Sequence, residues 1–345
     1  MRRIRSRSSA LAVGVALLAV AAGCGGSSGG GATTNGNVTL SGAGSTLVYP
    51  LVSKWAEDYN AAKITYDAIG SGGGIGAVTH RQVDFGASDA PLTPQQVTAG
   101  KGLLQIPWAL AGTLFSYNVK GVPNKLKLSG PVLADIYLGK ITSWNDPAIA
   151  RLNPGVNLPS THIAPVFRAD ASGDTYAVTD YFSKVSPQWK SKVGTSTAVS
   201  FPTGTGGRGN SGVSAALKGL DGTIGYLAVS YVFQSHLDYA LVENAAGKFP
   251  VPGVDSFSAA AKTVQSLPSS NTVSITDPPA SAPGAYPIST FTYALVPEQS
   301  PQAEPLKKFL TYAIGPGQKF GPALHFAPLP SVVLQANRTT IARIK

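Results

Sequence analysis

Phe167–Thr175 reads FRADASGDT. Ile163–Phe167, running into it, is apolar and strand-like. Val178, Tyr181, Phe182 and Val185 beyond it fall at i, i+3, i+4 and i+7, the spacing of one helix face. The stretch therefore reads as a strand passing through Arg-x-Asp and a Ser-Gly pair into a helix, the repeating unit of an α/β fold. It also carries a chemistry. The first N–H groups of a helix lack an internal partner and point outward, and the helix dipole favours negative charge there. Arg168 adds a fixed cation whose planar fork can grip an oxyanion with two parallel bonds. Asp170 either orients that guanidinium or forms with it a plain surface pair worth little.

The same unit recurs upstream. Asn37–Ser41 reads as a strand entering Gly42–Thr46, and Leu51, Val52, Trp55 and Tyr59 follow at helical spacing. Lys63–Ile69 is a strand ending at Gly70–Gly74, with a short helix through Val78. Val83–Gly86 is a strand ending in Ala87–Pro91, and Thr113–Tyr117 is another. The rhythm predicts an α/β lobe with mainly parallel strands. Farther on come a helix on Val132, Leu133, Ile136 and Tyr137, a glycine-rich loop at Thr203–Gly212 and a strand at Thr223–Ala228. A proline-bearing connector at Val273–Pro287, a strand at Ile288–Val296 and a helix at Leu306–Ile314 complete the pattern. A body of about 300 residues exceeds the usual single core, so two lobes are expected.

Three of the expected helix starts share one feature. Ser45-Thr46, Ser71 and Ser172-Gly173 each place a hydroxyl and free N–H groups at a strand end. Each fits a plain N-cap. Together with Arg168 they also fit an anion site. Asp89 is the odd member, because an ionised carboxylate only accepts hydrogen bonds. It suits an anion that carries a proton, or else caps the turn before Pro91.

The N-terminus reads separately. Arg2, Arg3, Arg5 and Arg7 precede the short apolar run Leu11–Ala22, too short for a spanning helix, which ends in Ala21-Ala22-Gly23-Cys24. Residues 1–23 read as a secretory signal peptide that resembles a bacterial lipobox, with Cys24 as the lipidated (palmitate-bearing) first mature residue. Ordinary cleavage beside an incidental cysteine is the alternative. Cys24 is the only cysteine, so no disulfide can form within the chain. Residues 24–37 form a Gly/Ser/Thr tether before a body that starts near Val38.

Composition narrows the function. Of 27 basic residues four lie in the leader, leaving 23 against 17 acids, a modest +6. No basic cluster interleaved with aromatics occurs, which argues against a nucleic-acid partner. Gly70–Gly76 lacks GxGxxG spacing and no GxxxxGK[ST] occurs, which argues against nucleotides. The four histidines show no HxH or HExxH spacing, there is no CxxC, and the body has no GxSxG elbow. No catalytic residue, metal or cofactor is therefore expected, and a hydrolase is the alternative from another class.

Six blocks in order, GAGSTLVYPLVSKW, AIGSGGGIGAV, VDFGASDAPL, LADIYLGKITSWNDPAIARLNPG, RADASGDT and YPISTFTYALV, resemble the PstS family, the phosphate-binding proteins of bacterial high-affinity phosphate ABC transporters. The resemblance runs from about Leu40 to the C-terminus. It implies a type II periplasmic-binding-protein-like fold, with two α/β lobes, a hinge and the ligand in the cleft. Lobe 1 would be 38–117 with 287–345, and lobe 2 would be 118–286. Phosphate would be held by Ser45, Thr46, Leu47 (through its backbone N–H), Ser71, Ser172, Gly173 and Asp174. Arg168 would supply charge and Asp89 would accept the ligand's proton. Asp174 stands where many members have Thr; its side chain would be a second proton acceptor or would point away. The resemblance further implies no enzyme activity, a lipid-anchored location outside the cytoplasm, and delivery of phosphate to membrane permease subunits. A monomer is expected. A binding protein for sulfate or molybdate is the alternative within the class.

Overall fold

The computed structural model describes residues 38–345. The expected signal peptide at 1–23, Cys24 and the tether at 24–37 lie outside the described residues. The strands are β1 (Thr39–Gly44), β2 (Lys63–Asp67), β3 (Phe85–Ser88), β4 (Leu103–Asn118), β5 (Lys127–Leu128), β6 (Ala164–Arg168), β7 (Thr205–Gly207), β8 (Thr223–Ala228), β9 (Asp238–Tyr239), β10 (Leu241–Val242) and β11 (Ser289–Pro297). Nine form one sheet in the order β2-β1-β3-β11-β4-β8-β6-β7, with β9 also on β4; β5 and β10 pair separately.

The sheet is two parallel sets joined by antiparallel strands. β1 runs parallel to β2 and β3, and β6 runs parallel to β7 and β8. β11 runs antiparallel to both β3 and β4, and β4 runs antiparallel to β8. The expectation of mainly parallel strands thus holds within each set and fails at the junction. β4 is the junction. Its residues Leu103–Gly112 pair with β11, and Thr113–Asn118 pair with β8. Only Thr113–Tyr117 of it is expected from sequence, so ten buried residues of strand precede the expected start. The expected boundary at 117/118 falls inside this strand, while the change of partner falls at Gly112/Thr113.

Each set builds its own aromatic core. Trp108 packs edge-on against Trp55, Phe85 and Phe309 at 5.1, 5.8 and 6.3 Å between ring centroids. On the other side Phe115 packs against Phe182 and Tyr137, and Phe182 against Trp189. Such pairs add about 0.5–1.5 kcal/mol each beyond the area they bury. The helices that supply these rings form for local reasons. Tyr49–Asp58 starts with Pro50 in its first turn, where a missing N–H costs nothing, and buries Leu51, Val52 and Trp55. Gly173–Val185 buries Val178, Tyr181 and Phe182 and ends with Lys184 in its last turn, where the dipole favours a cation.

Two further expectations shift. The strand expected at Val83–Gly86 runs Phe85–Ser88, because Phe85–Ala87 pair with β1 and Gly86–Ser88 with β11. The loop expected at Thr203–Gly212 contains β7 and the first turn of the helix Gly209–Gly219. The helix Ser331–Ala342, which packs on β4, has no counterpart in the expected pattern.

Candidate functional site

The residues singled out from sequence come from the carboxyl ends of β1, β2 and β3 in one parallel set and of β6, which runs the opposite way, in the other. Ser45, Thr46 and Leu47 follow β1, Ser71 follows β2, Asp89 follows β3, and Arg168 ends β6 and leads to Ser172–Asp174. Open α/β sheets place ligands at such strand ends. Those named residues are all brought together and buried: Arg168 is 4% exposed, Asp89 2% and Asp174 0%.

Arg168 is held from two sides. Asp170 takes Nε at 2.8 Å and also Nη2, while Asp174 takes Nη1 at 2.7 Å. Asp170 therefore orients the guanidinium, the first of the two roles open to it. A guanidinium has five N–H donors, so one hydrogen on each Nη remains for another acceptor. Burial works against the charge of Arg168, and the two aspartates outweigh it and raise its pKa. Burial likewise works to raise Asp170, but the bond from Arg168 holds it below the ordinary carboxylate range.

Asp174 turns inward. Its Oδ1 accepts from Thr113 at 2.7 Å, and its Oδ2 accepts from Asn210 Nδ2 at 3.0 Å besides Arg168. Burial raises its pKa against those three donors. Thr113 is the first residue of β4 to pair with β8, so the junction of the two halves touches the site directly.

Asp89 faces hydroxyls. Ser45 Oγ donates to its carboxylate at 2.6 and 2.7 Å, and Ser71 Oγ lies 3.3 Å from Oδ2. Burial, then repulsion from Asp174, pushes its pKa up to about 7. Ser71 links the halves, accepting from Gly173 N–H at 3.0 Å and from Asp89 N–H at 3.2 Å. Gly173 has no room for a side chain there: a Cβ would stand 2.4 Å from Asp89 Cβ.

The three hydroxyl-bearing helix starts differ. Ser172 is a true N-cap, its Oγ accepting from the N–H groups of Asp174 and Thr175. Ser71 sits inside the first turn, with Gly70 as cap at φ +86°, a left-handed conformation that favours glycine. Ser45 Oγ accepts from Leu47 N–H at 3.0 Å and Val48 N–H at 3.3 Å, so the backbone group expected of Leu47 is engaged by Ser45.

Sequence reasoning missed Thr113 and Asn210. Asn210 reaches Thr46 Oγ1 at 2.8 Å as well as Asp174. A cavity of about 500 Å³, lined in part by Thr46, Tyr66, Asp170, Arg208, Asn210 and Tyr231, adjoins the cluster. Among the described residues no group of three or more His, Cys, Asp or Glu side chains is placed to hold a metal ion, and no helix is long and apolar enough to cross a membrane.

This architecture, two α/β halves meeting at a buried polar cluster on strand ends, is that of the periplasmic-binding-protein class, and residues 29–316 match the family model described as a PBP superfamily domain. Within it the chain belongs to the PstS family of phosphate-binding proteins. It is 43% identical over 302 residues to the phosphate-binding protein PstS of Xylella fastidiosa (strain Temecula1), covering 85% of this chain and 82% of that protein. It is 40% identical to PstS of Pasteurella multocida, covering 86% and 88%. A crystal structure of a phosphate-binding protein from Stenotrophomonas maltophilia shares the fold at TM-score 0.69 and 21% identity, covering 88% of this chain and 93% of that one.

Proposed function

We propose that this protein binds inorganic phosphate outside the cytoplasm and hands it to the permease of a phosphate ABC transporter, making and breaking no covalent bond. The observation that carries this reading is the pairing, in one buried cluster, of a guanidinium with two uncommitted N–H groups and a carboxyl poised near neutrality. A tetrahedral anion that keeps one proton needs both: donors for its bare oxygens and one acceptor for its hydroxyl. Ser45, Thr46, Leu47, Ser71, Ser172 and Gly173 supply the remaining donors, exchanging their present mutual bonds for bonds to phosphate. Asp174 acts as counter-ion to Arg168, since three donors of the chain already meet its carboxylate.

Lobe 1 is 38–117 with 287–345, and lobe 2 is 118–286, with β4 and β11 as the connection about which they close. Cys24 carries the lipid that anchors the chain to the membrane, and the protein acts as a monomer. Equilibrium dialysis of the full chain against labelled phosphate tests the function. One phosphate retained per chain, with a phosphomonoester left uncleaved, is expected; no retention, or release of phosphate from the ester, contradicts it. For the anchor, Cys24→Ser should abolish lipid labelling and leave phosphate retention unchanged. Equal labelling of both forms would contradict the assignment.

A further inference from the structure

The glycine-rich stretch Thr203–Gly212 has no lysine at a Walker position, yet it carries one fully buried polar side chain, Asn210, in the first turn of the helix Gly209–Gly219. Ala228 N–H donates to Asn210 Oδ1 at 2.8 Å. A backbone N–H can only donate, so this bond assigns the amide orientation and turns Nδ2 toward the cleft. There Nδ2 donates to Thr46 Oγ1 at 2.8 Å and to Asp174 Oδ2 at 3.0 Å. One residue earlier, Gly209 N–H donates to Asp170 Oδ1 at 2.9 Å. Both carboxylates that flank Arg168 are thus supported from one turn, and the same turn reaches across to Thr46.

We propose that Asn210 is a positioning residue that sets the proton polarity of the cleft: by donating to Thr46 Oγ1 it leaves the Thr46 hydroxyl hydrogen for the bound anion, and it holds the Asp174 carboxylate on Arg168. The inference rests on the phosphate reading given above. A hydroxyl has one hydrogen and two lone pairs. With a lone pair engaged by Nδ2, the hydrogen is free to point at an oxygen of phosphate. An acceptor in the place of Nδ2 would draw that hydrogen to itself and present lone pairs to the anion. It would also set a second carboxylate against Asp174.

Asn210→Asp makes that exchange with almost no change of volume and keeps the acceptor for Ala228 N–H. Asn210→Ala removes the donor without adding an acceptor, but leaves a void. A purely structural Asn210 therefore makes Ala the worse substitution, and a polarity-setting Asn210 makes Asp the worse. Titration of the full chain with inorganic phosphate decides between them, with circular dichroism confirming that each variant is folded. Asn210→Asp should weaken binding by roughly 30- to 1,000-fold, the range for a disturbed buried charge-assisted contact. Asn210→Ala should weaken it about tenfold less than that.

Thr46→Val supplies the second arm and covers an Asp variant that fails to fold. In a Thr46→Val background either Asn210 substitution should cost at least about threefold less than in the wild type, because the route to the ligand through Thr46 is gone and only the one through Asp174 remains. Losses that multiply independently, or an Asp variant that binds as well as Ala or better, overturn the proposal. A wild-type chain that binds no phosphate overturns the parent reading instead.

Discussion

The two walls of the cleft are built on opposite electrostatic plans. The wall on the β1–β3 side offers hydroxyls and a single acid, Asp89, whose pKa lies at about 7 and whose charge therefore depends on conditions. The wall on the β6 side carries a cation that does not titrate, clamped by Asp170 and Asp174. In the proposed reading the second wall supplies attraction to any oxyanion, and the first decides which oxyanion stays. Attraction and selectivity are thus separable by mutation.

The sharpest way to break this contrast is Arg168→Ala. Losing one partner of a buried charge-assisted contact costs about 2–5 kcal/mol, on the order of 30- to several-thousand-fold in phosphate affinity. The substitution also strands two carboxylates, so the melting temperature should fall. Arg168→Lys should rescue only in part, because an ammonium lacks the fork. A folded Ala variant that binds within about threefold of wild type, under 1 kcal/mol, would remove Arg168 from the site.

Asp89→Asn probes the titrating wall without ligand. The native carboxyl holds its proton up to about pH 7, against an ordinary value of 3.8. The phosphate-free fold therefore gains stability as pH falls from 7 toward 4 and loses it as pH rises again. The window is worth on the order of 4 kcal/mol at ~1.4 kcal/mol per pH unit. The Asn variant lacks that slope, so it should melt above wild type at pH 8, with the gap closing by pH 4. Parallel melting curves across that range would show that Asp89 is not the titrating group.

Gly173→Ala tests the approach of the two walls. A Cβ there meets Asp89 at 2.4 Å and Ser71 Oγ at 2.7 Å, so the walls must part. Overpacking of this kind costs about 1–3 kcal/mol, and phosphate titration should show a matching loss of affinity. The smallest effect is expected from Thr113→Val, which keeps the side-chain shape and removes the bond to Asp174. A loss of about 1–2 kcal/mol is expected, read by the same titration; no change would mean that Arg168 and Asn210 hold Asp174 without Thr113.

These expectations rest unevenly on sequence. FRADASGDT was legible because its strand, its charge and its helix start are contiguous, and β8 and β11 were legible as runs rich in β-branched and aromatic residues. The first ten residues of β4, LLQIPWALAG, are buried throughout, so they lack the alternation that marks a strand. Pro107 within them argues against a strand as well. The structure accommodates it beside a register shift in β11 between Thr292 and Tyr293. Thr113 and Asn210 were illegible for a different reason. They lie 61 and 36 positions from Asp174 along the chain, and only the strand order brings them to it. The one local hint was a polar Asn closing a glycine-rich stretch.

The central claim, that the cleft selects a protonated oxyanion, is tested most directly by titrating the full wild-type chain with phosphate and with sulfate at about pH 9, above the value of about 7 to which burial pushes Asp89. Phosphate keeps a proton there and sulfate has none, so an ionised Asp89 accepts a bond from the first and faces only lone pairs of the second. The account predicts saturable binding of one phosphate, with sulfate weaker by roughly 100-fold, since protonating Asp89 to meet sulfate costs ~1.4 kcal/mol for each pH unit above about 7. Sulfate bound as tightly as phosphate would contradict it.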